Sequence, residues 1–493
     1  MKKFFTFLLL LAGLGLGANN LQINNVALTD NDPVAKTVMI RFDISWDNSW
    51  RDDINWDAAW VFAKYFDGEK PYKHCKLSLE GALAGTGTTH SLVIPNDSLQ
   101  LEGTYYGVGA YIYGDALGDG TFAAGSVMLK WNYGLNGFES LPEDIEMHVY
   151  GTEMVYIPEG PFAFGDGDGT SMSDNSWHLK DTPDYVYIGD YLAPLMINVN
   201  GDDQARITGI RVHGQEGLDW DGDGDIDNPR FPTGYKAFYM MKYETTQGQY
   251  ADFLNSLSES QIIISSLFPN TIQNRFTITL QDSKYVCSRP DRACNFLINS
   301  RPLILADWMG LRPMSALEFE KSARGPLNPV TNESAWGNTN TEDLKGIGGE
   351  ENGEEQPVPL TANIHYSDYY HPALIGGDGG QGPVRSGIFA KENTDRKGSG
   401  ASYYGVMELS GNLAECMTEL FDGGSDRGIL DFHGDGEIEY YGNQNSFFYL
   451  DQYGNLNVFY SIFAKRYTTI SKLEGSWEPF LGARFVRNSP ELP

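Results

Sequence analysis

Cysteine is scarce in this chain, positive charge is outnumbered, and long apolar runs are missing after the first eighteen residues. The four cysteines, Cys75, Cys287, Cys294 and Cys416, are too few in 493 residues to form a scaffold. The 35 lysines and arginines face 66 aspartates and glutamates, a formal net charge of −31. A surface that acidic repels nucleic acid and anionic membranes and attracts cations. No later apolar run approaches the ~20 residues that cross a bilayer as a helix, so no membrane span is expected. The histidines include His365 and His371, but no Cys/His/Asp spacing recruits that pair to a metal, and both read as surface residues.

What is present begins with a leader. Residues 1–18 combine Lys2 and Lys3, an apolar run from Phe4 to Gly17 and the small Ala18, the pattern of a signal peptide. The mature protein is expected to be exported, to the periplasm or beyond. Losing Lys2 and Lys3 leaves 33 basic against 66 acidic residues, a charge of −33. Low hydropathy with high charge can signal disorder, but 64 aromatic residues argue for packed cores. A mature length near 475 residues suggests two or three domains.

Residues 19–148 alternate apolar and polar positions over short runs broken by Gly, Asp and Asn. Thr37–Ile44, Leu77–Leu79, Ser91–Pro95, Tyr105–Tyr113 and Ser126–Asn132 read as strands. Ile54–Phe66 has spacing that suits a short helix. A small, mainly β domain of sandwich type is expected. Trp46, Trp50, Trp56 and Trp60 are read as core, against the rival reading of a sugar-stacking platform.

The pattern changes at Met147–Gly165, which places a domain boundary between residues 148 and 149. In the second domain, 149–493, insertions are expected near 198–230, 258–300 and 340–400. Ala237–Tyr243 reads as a buried strand, followed by a helix with Thr246 as N-cap and Gln249 as its capping-box partner. Met314–Ala323 reads as a helix opened by Ser315 and Glu318. Residues 258–300 read as strands and loops, and GGEENGEEQPVP and GGDGGQGP as low-complexity joints. Cys287 and Cys294 are the one close cysteine pair, joined across an exposed loop or left as free thiols; both remain open, as does the state of Cys75 and Cys416.

Asp219–Asn228, DWDGDGDIDN, is the densest acidic cluster. Asp219, Asp221, Asp223, Asp225 and Asp227 surround Gly224 as in the first half of a calcium loop, although position twelve is Arg230 rather than a bidentate carboxylate. Carboxylates this close repel unless a cation sits among them. The alternative is a solvated loop.

Five blocks occur in order: MVYIPEGPFAFG, FYMMKYETTQGQYADFL, LRPMSALEFEKSARG, YGVMELSGNLAE and GARFVR. Together they resemble the motifs of the formylglycine-generating-enzyme-like (sulfatase-modifying factor) superfamily over about residues 149–487, in the form found in exported members of Bacteroidetes-type bacteria. The resemblance implies an irregular α+β fold related to C-type lectin domains. It also implies calcium bound by the Gly-Asn-x-Trp-Glu-Trp motif, whose matching positions include Asn412, Leu413 and Glu415; the alternative is that Asn412 holds a turn and Glu415 pairs with an arginine such as Arg484. Family enzymes oxidise a protein cysteine with copper held by two cysteines near the last strand, because soft thiolates suit Cu(I). No cysteine lies between Cys416 and Gly482. No catalytic residue is therefore assigned.

The expected function is that of an exported, non-catalytic, calcium-stabilised protein that binds a protein or glycan surface or has a structural role, as in gliding or secretion assemblies. The alternatives are a metal-dependent oxidase or hydroxylase with a relocated site, and a glycan-binding module in the N-terminal domain. Replacing Asp221 and Asp223 together by Asn is expected to abolish any calcium-dependent rise in melting temperature. An unchanged calcium response would remove this loop as a ligand.

Overall fold

Apolar residues at every second position build the first third of the chain into long strands. In the computed structural model these are β1 (Gln22–Asp32), β2 (Thr37–Arg51), β3 (Asp57–Phe66), β4 (His90–Val93), β5 (Ala110–Gly114), β6 (Gly118–Asn132) and β7 (Glu146–Ile157). There follow β8 (Phe238–Met241), α1 (Gln247–Ser256), α2 (Glu259–Ile264), α3 (Arg301–Trp308), β9 (Arg312–Ser315), α4 (Ala316–Arg324), β10 (Ala414–Thr418) and β11 (Phe485–Asn488). The structure describes residues 20–164, 232–298, 301–330, 333–367, 371–391, 394–418, 433–438 and 478–490, and the strand segments 178–179, 186–188, 210–212, 215–216 and 458–461. The leader 1–18 and the Asp219–Asp227 cluster lie outside these residues.

Two sheets stack. The smaller has the order β1, β2, β6, with Thr86–Gly87 at its margin; the larger runs β10, β9, β11, β8, β7, β3, β5, β4 through its centre. Ile40, Phe42 and Ile44 of β2 and Leu129 and Trp131 of β6 meet Ala59, Val61 and Ala63 of β3 and Ile112 of β5 in one core. Two facing sheets sharing one core agree with the mainly β class that the alternation predicts. The opposite face of the larger sheet is buried too. Ala58, Trp60 and Phe62 of β3 and Tyr111 of β5 pack with Tyr250, Phe253 and Leu254 of α1 and Trp308 of α3. Large apolar side chains fully buried in these two cores contribute roughly 1.5–3 kcal/mol each.

Burial on both faces explains a correction. Ile54–Phe66 contains no helix: β3 is a strand whose residues are buried from Asp57 to Tyr65. A strand covered on both sides loses its period-two alternation and reads as a continuous apolar run. Trp46, Trp56 and Trp60 are core residues, with Trp60 fully inaccessible.

The expected boundary at 148/149 falls inside β7. This strand pairs with β3 from Glu146↔Phe66 to Val155↔Asp57, and with β8 from Met154↔Met241 to Ile157↔Phe238. The two halves of the chain therefore share a sheet. The change of composition at Met147–Gly165 marks a strand passing from a half-buried margin into the sheet's interior.

Both expected capping boxes form. Thr246 and Gln249 exchange hydrogen bonds at the start of α1, as do Ser315 and Glu318 at the start of α4. The second helix begins at Ala316 rather than Met314, because Met314 and Ser315 pair in parallel with Met417 and Thr418 of β10. Residues 258–300 contain α2, opened by a third capping box, Ser258 with Gln261. The stretch 340–400 has a small core of its own, including Leu344, Ile347, Val384 and Phe389.

Trp60 joins the layers. Its indole N–H donates to the Met309 carbonyl at 2.8 Å, and the Arg487 guanidinium lies 4.2 Å from its ring centre. Gly109 permits this packing, since a Cβ there would stand 2.4 Å from the ring. Trp60→Ala is expected to cost about 3–5 kcal/mol, measured as a lower urea midpoint at unchanged slope. Separate transitions for the two halves would contradict the shared-sheet architecture.

Candidate functional site

The polar residues of the last two motifs converge on one buried guanidinium. The parallel pairing of Ala414 with Leu481 and Glu415 with Gly482 brings Arg484 beside Glu415. Arg484 Nε donates to Glu415 Oε1 at 2.6 Å, with both side chains almost wholly buried. Its Nη1 donates to the carbonyls of Met241 at 3.3 Å and Lys242 at 3.2 Å. Glu244, just after β8, accepts from the Leu413 N–H at 2.9 Å and from Asn412 Nδ2. Asn412 Oδ1 accepts the Val384 N–H at 3.0 Å. Asn412 has φ +58°, a left-handed conformation that asparagine tolerates.

Glu408 completes the group, accepting the Gly387 N–H at 2.9 Å through Oε1, while its buried Oε2 has no partner. Burial pushes the Glu408 carboxyl up to about 7 against the pull of Arg484. Burial also raises Glu244, reinforced by Glu415, and raises Glu415 against Arg484. One guanidinium thus faces carboxyl groups that resist ionisation together.

The structure brings Asn412, Leu413 and Glu415 into this frame, with Arg484 as the cation beside Glu415. Among the described residues, no group of three or more His, Cys, Asp or Glu side chains is arranged to hold a metal ion. The Cys287–Cys294 bridge is not formed: both are free thiols. Cys287 Sγ lies 3.4 Å from Thr277 Oγ1, whereas Cys294 Sγ donates to the Asn295 carbonyl at 3.6 Å. The loop between them is not simply exposed, because Arg292 is buried and bonds Glu351 Oε2 at 2.7 Å and Asp378 Oδ2 at 2.6 Å. That Glu351 comes from the stretch read as a low-complexity joint. His365 is not a surface residue: it is buried, its Nε2 lies 2.9 Å from the Gly382 carbonyl, and burial pulls its pKa down to about 4.

Sequence reasoning missed a second polar node. Lys242 lies 2.9 Å from Glu153 and 3.4 Å from Asp57, and its ammonium stands 4.8 Å from the Trp50 ring centre. Burial raises Glu153 to about 7 despite Lys242. The available signal was a charged residue set within or directly beside each of three apolar segments, Asp57, Glu153 and Lys242, which points to buried pairing.

Next to this node lies a groove with a cavity volume of about 710 Å³. Val149–Glu153 of β7 form its floor, with α1 on one flank and Asn20–Ile23 on the other; Phe62 and Trp308 line it, and Asp291 and Glu351 belong to its rim. The Tyr150 ring packs on Trp308 with centroids 4.8 Å apart. Asp252 is exposed by area, yet burial still pushes its carboxyl up to about 6 while Lys284 pulls the other way. An aromatic, acid-bearing groove at the junction of two halves suits binding. No family model matches the chain, and no curated protein matches it.

A carboxyl with a folded pKa near 7 and an unfolded value near 4.5 keeps its full stability below pH 4.5 and loses it as pH rises through 7. Glu408→Gln removes that penalty while retaining an acceptor for Gly387. The variant is expected to gain about 1–3 kcal/mol over wild type at pH 7.5, the gain shrinking toward pH 4.5. Urea midpoints across this range measure it, and a pH-independent difference would refute the assignment.

Proposed function

We propose that this is an exported, non-catalytic binding protein of formylglycine-generating-enzyme-like architecture, with loops stabilised by calcium. The groove beside β7 carries the reading. It is open, it combines aromatic and carboxylate groups, and it lies apart from the buried Arg484 frame formed by the motif residues.

Two arguments support a binding role over chemistry. The motif residues Glu244, Asn412, Glu415 and Arg484 bond one another and the backbone, leaving only Arg484 Nη2 of this set buried without a partner among the described residues. The chain also lacks the cysteine pair that soft-metal oxidation of a thiol requires ahead of the final strand. Calcium, a hard cation, suits the oxygen-rich Asp219–Asp227 segment. At Glu415 a calcium ion would compete with Arg484.

Metal analysis of the purified mature protein tests this function. Calcium as the bound metal, with no oxygen consumption in the presence of a thiol peptide, is the expected result. Stoichiometric copper or iron with conversion of the thiol to an aldehyde would overturn the reading in favour of an oxidase.

A further inference from the structure

Among the described residues, the register of β7 leaves part of its edge unpaired. β7 has twelve residues and β8 only four, so β8 covers β7 from Met154 to Ile157 alone. The Lys242 N–H extends that contact by one bond, to the Glu153 carbonyl at 2.9 Å. In an antiparallel strand, the N–H and C=O of one residue point to the same side, and successive residues alternate. Because Glu153 faces the β8 side, so do Gly151, Val149 and Met147, while Thr152, Tyr150 and His148 face β3. Among the described residues, no backbone hydrogen bond reaches Met147, Val149 or Gly151 on that open side. All three are half-buried rather than covered.

This edge is also unguarded. Natural sheet edges are blunted by lysine, proline or bulges. Residues 147–151, MHVYG, contain neither lysine nor proline, and pair with β3 in unbroken register. The groove walls limit access instead. On one side Gln249 Nε2 of α1 donates to Thr152 Oγ1 at 3.2 Å. On the other, Leu21 and Ile23 close over Gly151, where a Cβ would stand 3.0 Å from each. Between these walls runs a slot along backbone donors and acceptors that no described residue pairs.

We propose that this edge of β7 is a docking site for an extended, basic peptide segment of a partner protein, which adds to the sheet as a strand. The proposal rests on the binding function above and names its partner class. Charge complementarity selects the occupant. Glu153 and Glu351 are already paired with Lys242 and with Arg275 and Arg292. Asp252 has no ion pair among the described residues, and the buried Asp291 Oδ2 has no hydrogen-bond partner. Among the described residues, Arg289 is the one cation lining the groove. Lysine or arginine side chains on the incoming strand would meet these carboxylates, while its backbone would satisfy the edge.

Amide hydrogen exchange on the full mature chain tests this directly. In the free protein, the amides of Met147, Val149 and Gly151 are expected to exchange faster than those of His148, Tyr150 and Thr152. Adding the capped peptide Lys-Val-Lys-Val-Lys-Val should slow the first set. Its glutamate counterpart and a version N-methylated at alternate amides should not. Asp252→Asn combined with Asp291→Asn should weaken the lysine peptide about tenfold with an unchanged melting temperature. Val149→Pro, which removes an N–H that β3 does not use, should abolish binding; if that variant unfolds, the aspartate pair carries the test.

Slow exchange at Met147, Val149 and Gly151 in the free protein would mean that the chain covers its own edge, and would overturn the proposal. Equal protection by all three peptides, or by none, would do the same. Protection by a neutral oligosaccharide mixture alone would overturn the peptide while leaving the binding function standing. Bound copper with thiol oxidation would overturn that function without altering these amide rates.

Discussion

One strand cannot hydrogen-bond beyond its two sides, and much of this molecule follows from how β7 divides them. Its side toward β3 is used from Glu146 to Val155, whereas its other side is used by β8 only from Met154 onward. The interior stretch joins the sandwich to the motif-bearing half, so strands from both halves build the larger sheet. The remaining stretch provides an edge within a groove. Joining and docking are thus consequences of one mismatch in strand length.

The second constraint is desolvation. Arg484 and Lys242 are buried with more carboxyl groups than they can neutralise, and the surplus appears as raised carboxyl pKa values at Glu408 and Glu153. Removing the cation from such a cluster leaves uncompensated buried charge and typically costs about 3–5 kcal/mol, whereas an apolar replacement of the whole cluster is often neutral. Their physical effect here is therefore geometric. Each cation bonds groups from separate parts of the chain: Arg484 reaches β10 and the end of β8, and Lys242 reaches β3 and β7.

Much of the local structure was legible in the sequence. Thr246 with Gln249 and Ser315 with Glu318 announced their helices, because a capping box is a purely local exchange of hydrogen bonds. Alternation announced β2 and β6, each with one face on the core. It failed for β3, where both faces are covered, and for α3, whose residues are mostly buried. The motif order pointed to Asn412 and Glu415, and Arg484 was foreseeable as the partner of Glu415. The groove was not legible. It depends on the offset between β7 and β8, on α1 and on the first residues of β1, which lie far apart in the chain and carry no shared pattern. His365 and Arg292 were misjudged for the same reason, since distant backbone and carboxylates, rather than their neighbours, determine their burial.

The buried charges have a consequence for the whole molecule. Among the described residues, ten lysines and arginines and ten aspartates and glutamates are buried, so the interior is formally neutral. The acidic excess of the described residues therefore lies outside that interior, where it meets water. Mobile counterions can reach that shell but not the inner pairs. Ionic strength therefore relieves repulsion on the outside without loosening the bonds that organise the fold.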